Sequence, residues 1–288
     1  MKSICIPFLL FLPFFSFSQR VHVNFFGGFS SYQGDLQDKS FDPKQTFAVF
    51  GAGVKYDLTR HFSLRSGLSL GKAGASDKLN VSSLQPRNLS FQSKILEVNL
   101  LAEYTFFDLQ RHKFSPYIFG GVGLYHFNPY AYDSLGNQVY LKPLSTEGQG
   151  LAQYPGRKPY HLTQFNVPVG AGLKMRISNN MVLAYEIGFR KLFTDYLDDV
   201  STTYIDGTTL AAARGSKALE MAYRGGELKT GDPLYPPDGT IRGGPNKKDS
   251  YLFQGITLSI ALKSVRNPRL RSGELICPPG LNGDFKGF

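Results

Sequence analysis

Residues 180–194, NMVLAYEIGFRKLFT, place Met181, Leu183, Tyr185, Ile187 and Phe189 on one side and Val182, Ala184, Glu186, Gly188 and Arg190 on the other. A period of two is that of a β-strand, whose neighbouring side chains point to opposite faces. One face here meets an apolar medium while the other must accommodate a carboxylate and a guanidinium. The pattern recurs in eight segments, at about 20–32, 46–58, 61–73, 94–107, 114–127, 161–177, 180–194 and 250–263. Each is long enough for a tilted strand to cross a bilayer. Their connections alternate between tight (LTRH, LQRHK, SNN) and long. Aromatic residues gather beside the tight turns, at Tyr56, Phe62, Tyr104, Phe106 and Phe107, as in an interfacial girdle. In hydrocarbon only a closed sheet satisfies every backbone group of such strands. The expectation is an all-β fold: an eight-stranded antiparallel transmembrane outer-membrane β-barrel with long extracellular loops. A soluble β-sandwich or a lipocalin-like barrel is the rival.

Eight strands enclose a lumen that side chains can fill. Alternation sends Lys55, Arg65, Lys174 and Arg190 inward with Glu97, Glu103 and Glu186, so a plugged, ion-paired interior is expected. The segment 114–127, FSPYIFGGVGLYHF, is apolar on both faces, and its register stays open.

The first residues, MKSICIPFLLFLPFFSFSQ, have the basic start, apolar core and small residues of a secretory signal. The expected organisation is a signal peptide at 1–18, a barrel at 19–263 and a periplasmic C-terminal tail at 264–288. Cleavage would remove Cys5 and leave Cys277 as the sole thiol, which excludes an internal disulfide and a cysteine-based metal site. The formal net charge of +10 could suit nucleic acid, but export argues against that partner. Outer-membrane lipid, lipopolysaccharide or an acidic partner fits better.

Candidate chemistry is sparse. Asp195, Asp198 and Asp199 in TDYLDDVST could hold a divalent cation, but their spacing fits no EF-hand loop. Hydrated surface acids capping a loop are expected instead. The five histidines lack metal-ligand spacing, and only His126 and His161 fall near the outer rim. No Gly-x-Ser-x-Gly elbow is present. Neither an enzyme, a metal site nor a cofactor is expected. In the longest loop, 195–249, LAAARGSKALEMAY is expected to form a short helix.

Six blocks carry a family resemblance: GGFSSYQGDLQ with Gly34 and Asp35, FSPYIFGGVGLYHFNPYA, PLSTEGQG, VPVGAGLKMRI, GFRKLFTDYLDDVSTTY and RGGPNKKDSYLFQGITLSI. In order and over nearly all of the chain after the signal, they resemble the DUF6089 family. Its PorG-like members are outer-membrane barrels of the type IX secretion system of Bacteroidota. The resemblance implies a structural role, with the periplasmic ring of the lipoprotein PorK and its partner PorN held against the outer membrane, and no small-molecule substrate. It also suggests an intermolecular disulfide from Cys277 in the tail. The alternatives are a lipid-modifying barrel enzyme and a small passive barrel of the OmpA or OmpW type.

Overall fold

The computed structural model describes residues 21–37, 42–244 and 248–262. The proposed signal peptide, the tail at 264–288 and Cys277 lie outside the described residues.

Eight long antiparallel strands build a barrel. They are β1 (Val21–Gln33), β2 (Thr46–Asp57), β3 (Phe62–Ser76), β4 (Ser90–Thr105), β5 (Phe114–His126), β8 (Thr163–Ser178), β9 (Met181–Leu192) and β10 (Ser250–Ala261). Each lies within about four residues of the segment read from alternation. A hairpin, β6 (Pro129–Tyr132) and β7 (Gln138–Tyr140), stands in the loop between β5 and β8. The sheet runs β3-β2-β1-β10-β9-β8-β5-β4, and β3 also pairs with β4, so the ring closes. The β6–β7 hairpin adds to the upper end of β4 through Gln92 and Ser93.

Period two dictates which face each side chain takes. On β4 the outward Leu96, Val98 and Leu100 are 40–52% exposed, while Glu97, Asn99, Leu101, Glu103 and Thr105 between them are buried. Outward apolar residues encircle the barrel, from Phe50, Leu68 and Leu70 through Ile118 and Val122 to Phe165, Ile187 and Ile256. An apolar belt this continuous around a polar interior suits lipid rather than water. At the tight-turn end Phe62 packs on Tyr104 with ring centroids 4.8 Å apart, and Tyr104 meets Phe106 at 5.2 Å. The chain is an outer-membrane-type β-barrel. In this class tight turns are periplasmic and long loops extracellular.

The open register of β5 is resolved by its neighbours. Ser115, Tyr117, Phe119 and Tyr125 point inward and Phe114, Ile118, Val122 and Leu124 outward. Both faces are apolar because the inward aromatic rings pack among lumen charges: Lys174 Nζ lies 4.3 Å from the Tyr117 ring centroid, and Arg65 lies 5.1 Å from that of Phe119.

The long loops fold over the barrel mouth as a cap. The anticipated single helix is two, α1 (Gly207–Arg214) and α2 (Ser216–Ala222), divided at Gly215, whose φ of 85° an α-helix cannot accommodate. Leu210, Ala218 and Ala222 bury against Ile205 and Leu151. A larger core runs without a break from the cap into the barrel, through Leu197, Val200, Tyr160 and Phe127 to Tyr125, Tyr251 and Phe253.

Candidate functional site

Two buried polar networks lie along the barrel axis, one in the lumen and one in the cap.

In the lumen, Arg65 on β3 reaches across to Glu186 on β9, with Nη1 2.7 Å from Oε2, and its Nε lies 3.1 Å from Glu103 on β4. Lys174 on β8 donates to Glu103 Oε2 at 2.7 Å and to Thr105 at 3.0 Å. Arg190 lies 3.4 Å from Glu97, which also accepts from Tyr251, Asn166 and Asn99 at 2.6, 3.0 and 2.8 Å. Tyr117 donates to Glu186 at 2.5 Å. Lys55 departs from the expected pairing with these glutamates. It pairs at 3.3 Å with Asp57, the next inward residue of its own strand, which also bonds His22 at 2.8 Å. The space left beside Asn24, Arg65, Asn99 and Thr257 is about 40 Å³, room for a few waters.

The cap network corrects a sequence expectation. Asp195, Asp198 and Asp199 are not hydrated surface acids but 2%, 1% and 0% exposed. The cap closes over them because each carboxylate has a donor from another loop or from the chain just beyond it. Asp198 Oδ2 lies 2.6 Å from the Tyr32 hydroxyl, and Asp249 Oδ1 lies 2.8 Å from the same oxygen. A phenol carries one proton, so a proton on one carboxyl completes the second bond. Burial acts the same way, with repulsion from Asp249 and Asp35 on Asp198 and from Asp195 and Asp35 on Asp249, pushing both acids well above the ordinary aspartate range. Asp199 takes donors from Thr146 at 2.5 Å and Tyr160 at 2.7 Å. Burial raises it to about 6 even so. Asp195 accepts from Ser201 at 2.8 Å and is also raised by burial to about 6; its other oxygen has no hydrogen-bond partner among the described residues.

Gly34 and Asp35 enter the same cluster from the β1–β2 loop. A Cβ on Gly34 would fall 1.9 Å from the Tyr32 hydroxyl and 2.0 Å from Asp249 Oδ1, so only glycine lets these groups meet. The Asp35 carboxylate accepts from Gly244 N at 3.0–3.1 Å. The residues singled out in separate sequence blocks are therefore neighbours.

Sequence reading missed the cations and the acid that tie the cap together. Arg242, 2% exposed, donates to Glu147 at 2.9 Å and to the Asp199 carbonyl at 2.6 Å. Glu147, 0% exposed, also accepts from Ser201 N, Thr202 N and Thr202 Oγ1 at 2.7–3.0 Å. Arg87 makes two bonds to Asp77 at 2.8 and 3.1 Å and donates to the carbonyls of Asp35 and Arg242. All four long loops thus meet in one set of buried hydrogen bonds. Glu147 and Arg242 both lie inside quoted family blocks, but their burial has no sequence signal because loop charges are usually solvated.

The rim histidines join none of this. His126 Nδ1 lies 2.9 Å from Thr163 Oγ1, and His161 is exposed. Among the described residues no group of three or more His, Cys, Asp or Glu is arranged to hold a metal ion.

The family profile described as DUF6089, a domain of unknown function, matches residues 2–210. The chain belongs to the DUF6089 family. No curated protein matches it. Similar solved structures include neisserial surface protein A, at 8% identity and a TM-score of 0.40 over 84% of this chain and 97% of that one. The Yersinia pestis attachment invasion protein Ail, in complex with the heparin analogue sucrose octasulfate, aligns at 9% identity and a TM-score of 0.40, covering 85% and 99%. The N-terminal β-barrel domain of OprF from Pseudomonas aeruginosa aligns at 13% identity and a TM-score of 0.36, covering 84% and 97%. For this DUF6089 member the barrel itself rests on the strand pairing that closes β3 onto β4.

Proposed function

We propose that this DUF6089 protein is a structural outer-membrane component of the type IX secretion machinery, a fixed anchor rather than a conduit. The observation that carries the reading is the blocked axis: a lumen filled by cross-barrel ion pairs beneath a cap that all four loops lock shut. Such a barrel gives an assembly a rigid attachment to the membrane. The resemblance of its sequence blocks to PorG-like proteins supplies the partner, a periplasmic ring of PorK and PorN. Buried charges on opposite walls hold the barrel in one shape, because any opening motion would strand a charge without its partner. Cys277 is proposed to form an intermolecular disulfide with that ring.

Affinity purification of the tagged full-length protein from native membranes in mild detergent tests the assignment. Co-isolation of a ring lipoprotein and its partner is the expected result. Recovery of the barrel without any periplasmic protein, with secretion unchanged in a deletion strain, would overturn it. On a non-reducing gel of those membranes Cys277 should give a reducible higher band, lost in Cys277→Ser. A monomer alone would remove the disulfide from the proposal and leave the anchor.

A further inference from the structure

The outer wall of the barrel carries a like-charge pair that no acid among the described residues compensates. Lys72 on β3 and Lys94 on β4 stand directly opposite each other in the strand register, on the outward face. Like charges so placed repel. The lumen contains the same arrangement, Lys55 opposite Arg65 between β2 and β3, but there Asp57, Glu103 and Glu186 neutralise it. Outside, Asp77 pairs with Arg87 and Asp133 with Lys217, Asp42 accepts from the backbone N–H of Lys44, and neither Lys72 nor Lys94 has an ion-pair partner among the described residues. Among the described residues Lys72 Nζ has neutral company, 3.2 Å from Gln92 Oε1 and 5.6 Å from the Phe47 ring centroid.

The surroundings have a defined shape and height. β2 and β3 stop pairing at Phe50 and Leu70, and a cleft of about 170 Å³ lies nearby, lined by Lys44, Phe47, Gly74, Gln92 and Tyr132. The Phe47 ring lies against Gly74, where a Cβ would come 3.1 Å from it. Lys72 and Lys94 stand two residues along their strands from the outward Leu70 and Leu96, ~6.6 Å at a strand's rise. Cationic heads directly above an apolar wall match a molecule with an anionic head above acyl chains.

We propose that Lys72 and Lys94, with Lys44 at the cleft edge, form a binding site for the phosphate-bearing headgroup of an outer-leaflet lipid of the lipid A class. The phosphate lies between the two ammonium groups and removes their repulsion, while the acyl chains lie along Phe50, Leu70 and Leu96. The site is independent of the secretion role and holds whether or not a ring is the partner.

The test titrates purified full-length protein in detergent micelles with bisphosphorylated lipid A, reading bound lipid by native mass spectrometry. Lys72→Gln/Lys94→Gln should weaken binding by about tenfold or more. Lys113→Gln in a tight turn should leave it unchanged. Wild-type protein should bind dephosphorylated lipid A at least about tenfold more weakly, and this arm needs no variant to fold. Inorganic phosphate should not compete at equal concentration. In lipid-free detergent Lys94→Gln should raise the melting temperature, and added lipid A should stabilise the wild type more than the variant. Equal binding by wild type and double variant, or equal binding of phosphorylated and dephosphorylated lipid, would overturn the site. Full competition by inorganic phosphate would overturn the lipid as its ligand.

Discussion

The lumen and the cap both bury charge, yet they balance it differently. In the lumen each acid has a cation from another strand or two places along its own, as with Glu186 and Arg65 or Asp57 and Lys55. In the cap the acids outnumber the buried arginines, and Asp198, Asp249 and Tyr32 hold together around a shared proton. A barrel interior is a rigid frame in which opposite walls present cations and acids at fixed places. Loops have no such frame, so the cap relies on backbone donors, hydroxyls and protons. The lumen should therefore behave as a permanent plug, and the cap as a lid whose strength follows pH.

The largest expected effect is in the lumen. Arg65→Leu leaves Glu103 and Glu186 without their shared guanidinium and should cost about 3–5 kcal/mol in reversible urea unfolding from detergent micelles. Arg65→Leu/Glu186→Leu should recover much of that loss; a strictly additive double variant would show that the two do not act as a pair. In the cap, Arg242→Met should cost about 2–4 kcal/mol locally, since Glu147 and two carbonyls lose a charged donor. Limited proteolysis should then cut within 193–249 while the barrel keeps its heat-resistant mobility on an unheated gel. Collapse of the barrel as well would break the division into two parts. Gly34→Ala should loosen the same cap by about 1–3 kcal/mol, because its methyl group displaces Tyr32 or Asp249.

The smallest effect sharpens the comparison most. Carboxyls whose folded pKa is raised contribute stability below their unfolded value, and lose it as pH rises through the folded one. For Asp195 and Asp199 the window runs from about 4 to about 6, and Asp198 and Asp249 extend it upward. Amide protection factors in the loops, corrected for base-catalysed intrinsic exchange, should therefore be higher at pH 5 than at pH 8. Asp198→Asn keeps a hydrogen-bonding group without the charge, and should stabilise the cap at pH 8 by about 1 kcal/mol while flattening the profile. Protection that instead rises with pH would mean the cluster is held by cations, not protons.

How much could be read in advance differs between the same two regions. Glu186 and Arg190 face inward because Ile187 and Phe189 beside them must face outward; one apolar neighbour fixes a strand residue's side. Lys55 shares that face by the same alternation, but its partner does not follow from it, since Asp57 lies at a strand end where alternation gives no further support. For Asp198 and Asp199 no such rule exists. Acids in a long loop are solvated unless other loops cover them, and that depended on Glu147 and Arg242, far away in sequence. Gly215 was visible, yet its effect, two helices in place of one, required knowing that both pack on Ile205 and Leu151.

By itself the sequence determined the strands, their inward faces and the closed sheet, because a period of two beside alternating tight and long turns leaves lipid one satisfactory answer. The tertiary structure alone decided the β5 register, the partner of each lumen charge and the burial of the acids in the cap. These are contacts between chain segments up to about two hundred residues apart, such as Asp35 with Gly244, and local chemistry carries no record of which distant group will arrive.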